Sequence, residues 1–463
     1  MNTLPNILFI MVDQQRYDCL GYRNLFPVQT PYIDQLATEG ISFSNAFTAI
    51  PLCSPARQAL LSGKRPEALG TLWNYDLGSK IPSLEPSEDT WVHELKRAGY
   101  ITGYIGKWHV NPKHDPRKYG YEDYVPISAY EKLRNQKYPD VTYKNGWFGE
   151  TNLVPVEDSR THWLAKQANT MISKYVASGQ PWHVRVDFPE PHLPCRPSGK
   201  FSTMYSPEEI PQWPNFAETF QNKPYIQKQQ LVNWRIDQYT WEQWSPIVAR
   251  YYGIISQIDD AVGLVLAALK TFGIEENTIV IYTSDHGDMC GAHRMMDKHY
   301  VLYDEIIRVP FIVKWPLKIS PGQNSESFVY NVLDLYPTIL EIIQSEMMDT
   351  CTGRSLYPIL QGKVPDSWRT SIISTYNGQQ FGLYSQRMIR NKEWKYIWNA
   401  TDTDELYDLT NDPYELVNAI HIPKYQDIIS ALRKELYTTL LAEGDTLIDN
   451  EWLRDQLLNG RKL

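Results

Sequence analysis

"PNILFIMVDQQR", residues 5–16, holds six consecutive apolar residues, Ile7 to Val12, and stops at the carboxylate of Asp13. A short continuous apolar run with polar ends reads as a strand buried on both faces. Four further runs of this kind follow: "ITGYIG" (101–106), "HVRVDF" (183–188), "TIVIYTS" (278–284) and "FIVKW" (311–315). Amphipathic stretches lie between them. "TPYIDQLATEG" (30–40) reads as a helix with Thr30 as N-cap, Pro31 at the first helical position and Gly40 as the stop. "EDTWVHELKRAGY" (88–100) reads as a second helix ending at Gly99. From Ile255 onward, Ile258, Val262, Leu266 and Leu269 keep one helical face. Short buried strands alternating with helices predict an α/β fold built on a parallel sheet.

Two stretches break the alternation. Between Pro197 and Trp244 the texture turns to Pro, Trp, Gln and Tyr with little periodicity, which predicts an insertion of long loops. Its Trp213, Trp234, Trp241 and Trp244 either line a sugar pocket or anchor the loops on the core. Beyond Gly362, "GLYSQRMIRN", "EWKYIWN" and "DELYDL" read as a small antiparallel sheet, and "KYQDIISALRKELYTTLLAEG" reads as a long helix over it. The expected division is a larger α/β unit over 1–362 and a smaller α+β unit over 363–463.

The chain has 463 residues, 42% hydrophobic and 21% charged, enough to bury a large core. Its 45 Lys and Arg against 54 Asp and Glu give a net charge of -9, which argues against a general nucleic-acid binder. An anionic small substrate is still compatible, because a few cations focused in a pocket can outweigh the global field. The N-terminal stretch lacks the basic start and small-residue cleavage site of a secretory signal. No apolar stretch approaches the ~20 residues of a bilayer span, so no membrane association is expected. Cys19, Cys53, Cys195, Cys290 and Cys351 are scattered without paired or zinc-type spacing, so the expected setting is the cytoplasm with reduced thiols.

Polar residues collect just after the strand candidates: Asp13 and Gln14, Lys107 and His109, His192, and Asp285 and His286. Open parallel sheets bind ligands outside the carboxyl ends of their strands, so these positions predict one site on one sheet edge. Asp13, Gln14, Asp285 and His286 offer two carboxylates, an amide oxygen and an imidazole. Hard oxygens suit Ca2+, Mg2+ or Mn2+, and the imidazole keeps Mn2+ or Zn2+ in play. The cations Arg57, Lys107 and Lys298 are far apart in sequence, yet each lies near a predicted site loop. In "PLCSPARQALLSG" (51–63), Cys53 stands at a helix start whose free N–H groups favour an anion. Packing, nucleophile, or precursor of another group are the three readings of its thiol.

"CSPAR" (53–57) matches the Cys-x-Pro-x-Arg signature of the sulfatase family, and "LLSGKRP" continues it. The resemblance extends through "PNILFIMVDQQRYDCLG", "TPYIDQLATEGISFSNAF", "GYIGKWH", "FPEPHLP", "IVIYTSDHGDMCGAH" and "YDEIIRVP", and reaches "GRSLYPIL" and "ELYDLTNDPYE". It leaves out the Trp-rich insert and the stretch around Tyr121 to Asn152. The family implies the alkaline phosphatase-like fold: a large mixed, mostly parallel sheet between helices, then a smaller C-terminal antiparallel sheet with one helix. It also implies that Cys53 is the precursor of formylglycine, installed by a formylglycine-generating or sulfatase-maturing enzyme. A hydrated aldehyde carries two hydroxyls, one to attack sulfur and one to collapse the resulting hemiacetal sulfate.

Carried over by position, the resemblance implies metal ligation by Asp13, Gln14, Asp285 and His286 together with a formylglycine oxygen at 53. Ca2+ is the expected ion and Mn2+ the alternative. Gln14 stands where many members have Asp, and His286 where many have Asn. Arg57 would stabilise the formylglycine, Lys107 and Lys298 would neutralise sulfate oxygens, His109 would collapse the hemiacetal, and His192 would protonate the leaving oxygen, with help from Lys298. The implied substrate is a sulfated small molecule or oligosaccharide, with self-association left open. Two other readings compete. One is a phosphonate monoester or phosphodiester hydrolase of the same superfamily; the other is a carbohydrate-binding protein with an unoxidised, inactive site.

Overall fold

The structure is a computed structural model that describes residues 4–75, 81–346, 351–378, 380 and 382–462. The first three residues of the stretch read for a secretory signal lie outside the described residues.

Eight strands form the central sheet: β1 (Asn6–Asp13), β2 (Ile41–Phe47), β3 (Ile101–Gly106), β4 (Asp123–Pro126), β5 (Trp182–Pro191), β6 (Thr278–Ser284), β7 (Phe311–Lys314) and β8 (Gln323–Tyr330). Their spatial order is β4-β3-β5-β1-β6-β7-β2-β8. Neighbours pair in parallel. The exception is β7, which runs against both β6 and β2 because the chain returns from the carboxyl edge without a crossover. The sheet is therefore mixed and mostly parallel. Along β1, Ile7, Phe9 and Met11 enter one core while Leu8, Ile10 and Val12 enter the other, as a strand covered on both faces must do.

One face is covered by the helices Pro31–Thr38, Arg160–Val176 and Trp241–Thr271, and the other by Cys53–Ser62, Trp91–Arg97 and Leu335–Ile343. The helix Pro31–Thr38 starts where the sequence places it. Its N-cap Thr30 side chain, however, accepts from the Gly21 amide and donates to Asp34 instead of capping the first turn. The helix read from Ile255 begins at Trp241, and Gln243 Oε1 accepts the Thr240 amide at 3.0 Å to close its first turn. The insert is thus partly helical, with a further helix at Tyr225–Trp234. Periodicity is masked in Tyr225–Trp234 because its buried face carries Gln227 and Gln230 while Tyr225 and Val232 are exposed.

By length and composition Trp241–Thr271 is long and apolar enough to cross a membrane, contrary to the sequence expectation, but 72% of its apolar window is buried inside the fold. It is a core helix.

The second sheet has four antiparallel strands, β9 (Ile372–Gly378), β10 (Tyr384–Arg390), β11 (Trp394–Asn399) and β12 (Glu405–Asp408), in the order β12-β11-β10-β9. The helix Gln426–Ala442 covers its outer face with Ile429, Leu432, Leu436 and Leu440, spaced on one helical stripe. Strand β9 and a final helix, Glu451–Asn459, go beyond the sequence reading. The inner face is tied to the larger unit through the buried Asp304 carboxylate, which accepts from Arg390 at 3.1 Å and Lys395 at 2.7 Å.

The tryptophans of the insert are anchors. Trp213 and Trp244 are fully buried. The Trp213 ring meets Phe26 edge-on at 4.5 Å, lies under the Arg16 guanidinium at 4.1 Å, and donates from Nε1 to the Cys290 carbonyl at 2.8 Å. Trp213→Ala is expected to lower the unfolding free energy by about 3–5 kcal/mol. Urea denaturation checks this, and a loss below about 1 kcal/mol would contradict the anchoring role.

Asp259 gives a pH signature. Its carboxylate accepts the Ile33 amide at 2.7 Å and the Tyr32 amide at 3.3 Å, at the start of the Pro31–Thr38 helix. Burial nevertheless pushes its pKa up from 3.8 to about 7. A carboxyl that holds its proton more tightly when folded contributes stability that is complete below about 4 and is lost as pH rises through about 7. Asp259→Asn should therefore raise Tm relative to the parent protein at pH 8 and leave the difference near zero or negative at pH 4. A difference independent of pH would contradict the assignment.

Candidate active site

Five strands of the central sheet end at one place, and their ends bring all ten sequence-predicted residues together. Asp13 closes β1 and Gln14 follows it in the left-handed region at φ 70°. Gln14 keeps this conformation because its amide donates to Asp285 Oδ1 at 3.1 Å and its carbonyl accepts from Tyr251 Oη at 2.9 Å. Gly106 closes β3 at φ 106°, where a Cβ would come within 2.0 Å of the Asp187 carbonyl. Only glycine fits, and it turns the chain to present Lys107. His109 adopts φ 49° and meets Tyr75 ring-to-edge at 4.8 Å. His192 follows β5, and Asp285 and His286 follow β6.

The helix Cys53–Ser62 follows β2 with all ten residues buried. The Asn74 side chain accepts its Ser54 amide at 3.0 Å, capping the first turn from outside. Gly63 ends the helix at φ 67°, and a Cβ there would meet the Tyr336 side chain at 2.8 Å.

Arg57, one turn into this helix, is fully buried among three carboxylates. It donates to Asp13 at 2.9 Å, to Asp285 at 3.1 Å, and to Asp187 in a short contact. Lys107 Nζ lies 2.6 Å from Asp13. Burial alone would raise the Asp13 carboxyl, but Lys107, His192 and Arg57 outweigh it and hold the group well below the carboxylate range. For Asp285 burial comes first and Asp13 adds to it, so its carboxyl is pushed up in spite of His286 and Arg57.

Cys53 Sγ lies 3.2 Å from His286 Nε2 and 3.6 Å from Asp13 Oδ1. Burial opposes its ionisation, but Lys107, Lys298, His286 and a hydrogen bond with His109 lower the thiol well below its ordinary value. His286 Nδ1 donates to the Gly287 carbonyl at 2.9 Å, which turns Nε2 toward the cluster, where it would offer its lone pair once a cation displaces its proton. Ligand atoms of Asp13, Cys53, Asp285 and His286 all lie within 4.8 Å of one another. Two like-charged carboxylates beside a correctly oriented imidazole fit a divalent cation.

Gln14 shows how the amide is set. Its Nε2 donates to Asp288 at 2.6 Å and Asp297 at 2.9 Å, so its Oε1 must point the other way, where it accepts from Lys298 Nζ at 2.8 Å. A carboxylate at position 14 would face Asp288 and Asp297 at hydrogen-bond distance, and this accounts for the amide. Lys298 also reaches His192 Nε2 at 2.9 Å, while His192 Nδ1 donates to the Leu193 carbonyl at 2.7 Å. Burial opposes the charge on Lys298, yet Asp297 and the site carboxylates raise its pKa.

Sequence reading passed over Asp187, Asn74, Asp288 and Asp297. The signal for Asp187 was available. In "HVRVDF", Arg185 and Asp187 are charges two apart in an otherwise apolar run, so they share one face of a strand buried on both sides.

A cleft of about 900 Å³ opens over Cys53, Lys107, His109 and His192. None of the four tryptophans of the insert lines it, so only their anchoring role stands. Its walls come instead from 124–160 and 189–196, including Tyr130, Arg134, Tyr143, Arg160 and Arg196.

Residues 5–345 match the family described as Sulfatase, and residues 291–441 match the one described as N-sulphoglucosamine sulphohydrolase, C-terminal. An arylsulfatase of Clostridium perfringens (strain 13 / Type A) is 30% identical, the match covering 97% of each chain. An ulvan-active sulfatase of Formosa agariphila is 29% identical over 96% of this chain and 82% of the relative. The crystal structure of the phosphonate monoester hydrolase of Agrobacterium radiobacter superposes with a TM-score of 0.82 at 25% identity, covering 95% of this chain and 96% of that one. The fold is thus shared along almost the full length, and the chain belongs to the sulfatase family.

Proposed function

We propose that the protein hydrolyses the sulfate ester of a small carbohydrate, using a formylglycine made from Cys53 and one divalent cation. The observation that carries this reading is the convergence of Cys53, Arg57, Lys107, His109, His192 and Lys298 around the Asp13, Asp285 and His286 cluster. Asp13, Asp285 and His286 would hold the cation with Gln14 Oε1, whose second lone pair is left beside its bond from Lys298. Ca2+ is favoured by the oxygen donors, with Mn2+ as the alternative. The bound ion supplies Lewis acidity toward sulfate oxygen and toward the hydroxyl at position 53. A hydrated formylglycine supplies two hydroxyls, one to bond sulfur and one to release sulfate as the aldehyde re-forms.

The chain's own residues do the rest. Arg57, locked by three carboxylates, fixes the start of the helix that carries position 53 and orients Asp13 and Asp285. Lys107 and Lys298 place two cations where charge develops on sulfate oxygens. The Lys298 ammonium holds a proton against the His192 Nε2 lone pair at 2.9 Å, and this pair delivers it to the leaving alcohol, His192 Nε2 passing on the proton that Lys298 supplies. His109, linked to the position-53 side chain, is the base that frees sulfate from it.

A carbohydrate suits the cleft, which combines aromatic faces such as Tyr75, Trp108 and Tyr130 with polar and charged side chains. The reading includes a maturing enzyme as an upstream partner and a cytoplasmic setting, supported by Cys19, Cys53, Cys195, Cys290 and Cys351 all being free thiols.

Peptide mass spectrometry of protein co-produced with a maturing enzyme should find formylglycine at 53, and Cys53→Ala should lose turnover while keeping its Tm within a few degrees. Full activity in a preparation carrying only the thiol would overturn the mechanism.

Asp285→Ala should lose both the bound cation and the activity, because one carboxylate of a small ligand set is gone. Stoichiometric metal by elemental analysis in that variant would remove Asp285 from the ligand set.

A further inference from the structure

One wall of the cleft carries three arginines that the reaction above does not use. Arg134 comes from the helix Ile127–Lys137, Arg160 begins the helix Arg160–Val176, and Arg196 follows β5. Two of them share a platform. The guanidinium carbon of Arg196 lies 4.0 Å from the centre of the Tyr143 ring, and that of Arg134 lies 5.3 Å from it. The ring itself is fixed, since Tyr143 Oη donates to Asn152 Oδ1 at 2.8 Å.

Charge is poorly balanced at this wall. Arg160 donates to Glu190 at 2.7 Å, but among the described residues neither Arg134 nor Arg196 has a carboxylate partner within salt-bridge distance. Arg134 donates instead to the neutral Asn135 side chain and the Val141 carbonyl. Arg196 Nε is buried without an acceptor. Burial pushes the Arg196 pKa below its ordinary value; Tyr143 and the more distant Glu150 oppose this shift, and Arg160 and Arg134 add to it. Glu131, the other acid on the cleft, is exposed and pairs with none of the three. Among the described residues the buried Arg196 Nε–H has no acceptor, which is costly, and an arriving anion would supply one.

We propose that Arg134 and Arg196, which share the Tyr143 ring, form with Arg160 on the same cleft wall a second anion subsite, so that the preferred substrate is a sugar sulfate bearing a further carboxylate or sulfate. Planar guanidinium groups match either anion in a bidentate fork. The global charge of -9 does not oppose this, because the field in the cleft is set by its nearest charges. The inference rests on the sulfatase reading and narrows its substrate.

The test uses the matured, metal-loaded enzyme. Hexoses carrying one sulfate, at each hydroxyl in turn, are compared with the hexuronic acids sulfated at the same hydroxyl and with the disulfated hexoses. A small aryl sulfate serves as the common reference. For at least one position, kcat/KM should favour the doubly anionic sugar over its singly charged counterpart by about tenfold or more, the order expected of one additional charge-assisted hydrogen bond. Arg196→Ala should collapse this ratio, mainly through KM. Arg196→Gln, which keeps a polar side chain and loses the charge, should do the same if the alanine variant folds poorly, and Arg196→Lys should restore part of it. The carboxylate and sulfate arms tell which second anion is bound. Aryl sulfate turnover without any preference for a second anion, or a preference unchanged in both charge-removing variants, would overturn the subsite and leave the sulfatase reading intact. Failure to hydrolyse every sulfate ester, the aryl sulfate included, would overturn both.

Discussion

The structure depends on one buried guanidinium. Arg57 is fully enclosed and holds Asp13, Asp187 and Asp285, which come from β1, from β5 and from the end of β6. Removing one partner from such a network strands the opposite charge in a low dielectric, which costs about 3–5 kcal/mol. Three strand ends and one helix start must therefore share a single register. The same requirement places Cys53, one turn before Arg57, beside the carboxylates and His286. Chemistry and architecture meet in this one side chain.

Around that centre the site has two kinds of parts. The strand-end residues are held by backbone features with little freedom: Gly106 has no room for a Cβ, and Gln14 and His109 adopt left-handed conformations. Asp288 and Asp297 then orient the Gln14 amide, and Lys298 links it to His192. The cleft walls have a different origin. They come from the stretch around 124–160 and from the residues after β5, where Tyr143 and its arginines rest on a short helix and loops. In the proposed reaction rigid strand ends would serve the chemistry and loops the recognition, as loops on a fixed scaffold commonly do.

This contrast also explains what could be read in the sequence. Strands β1, β3, β5 and β6 were legible because continuous apolar runs ended in polar residues, and those polar residues converge at one place in the structure. Cys53 and Arg57 were legible because their spacing matches a family signature. The orientation of Gln14 was not, since it depends on Asp288 and Asp297, 274 and 283 residues away. The cleft wall was hidden for a similar reason: Arg134 and Arg196 meet only through Tyr143. Tryptophans in the insert drew attention as sugar-stacking candidates, yet Trp213 and Trp244 are fully buried. Composition identifies aromatic residues but not which way they face. The start of the helix Trp241–Thr271 was lost because a helix buried on most sides carries no amphipathic stripe.

The nearest rival chemistry on this fold is phosphonate or phosphodiester hydrolysis. Lys107 lies 2.6 Å from Asp13, Lys298 lies 2.9 Å from His192, and both cations act on the position-53 side chain. The most direct measurement is kcat/KM for an aryl sulfate and an aryl phosphonate sharing one leaving group, on one preparation with formylglycine at 53 and the cation bound. The account predicts that the sulfate is preferred by at least about tenfold. Equal rates, or a preference for the phosphonate, would contradict it.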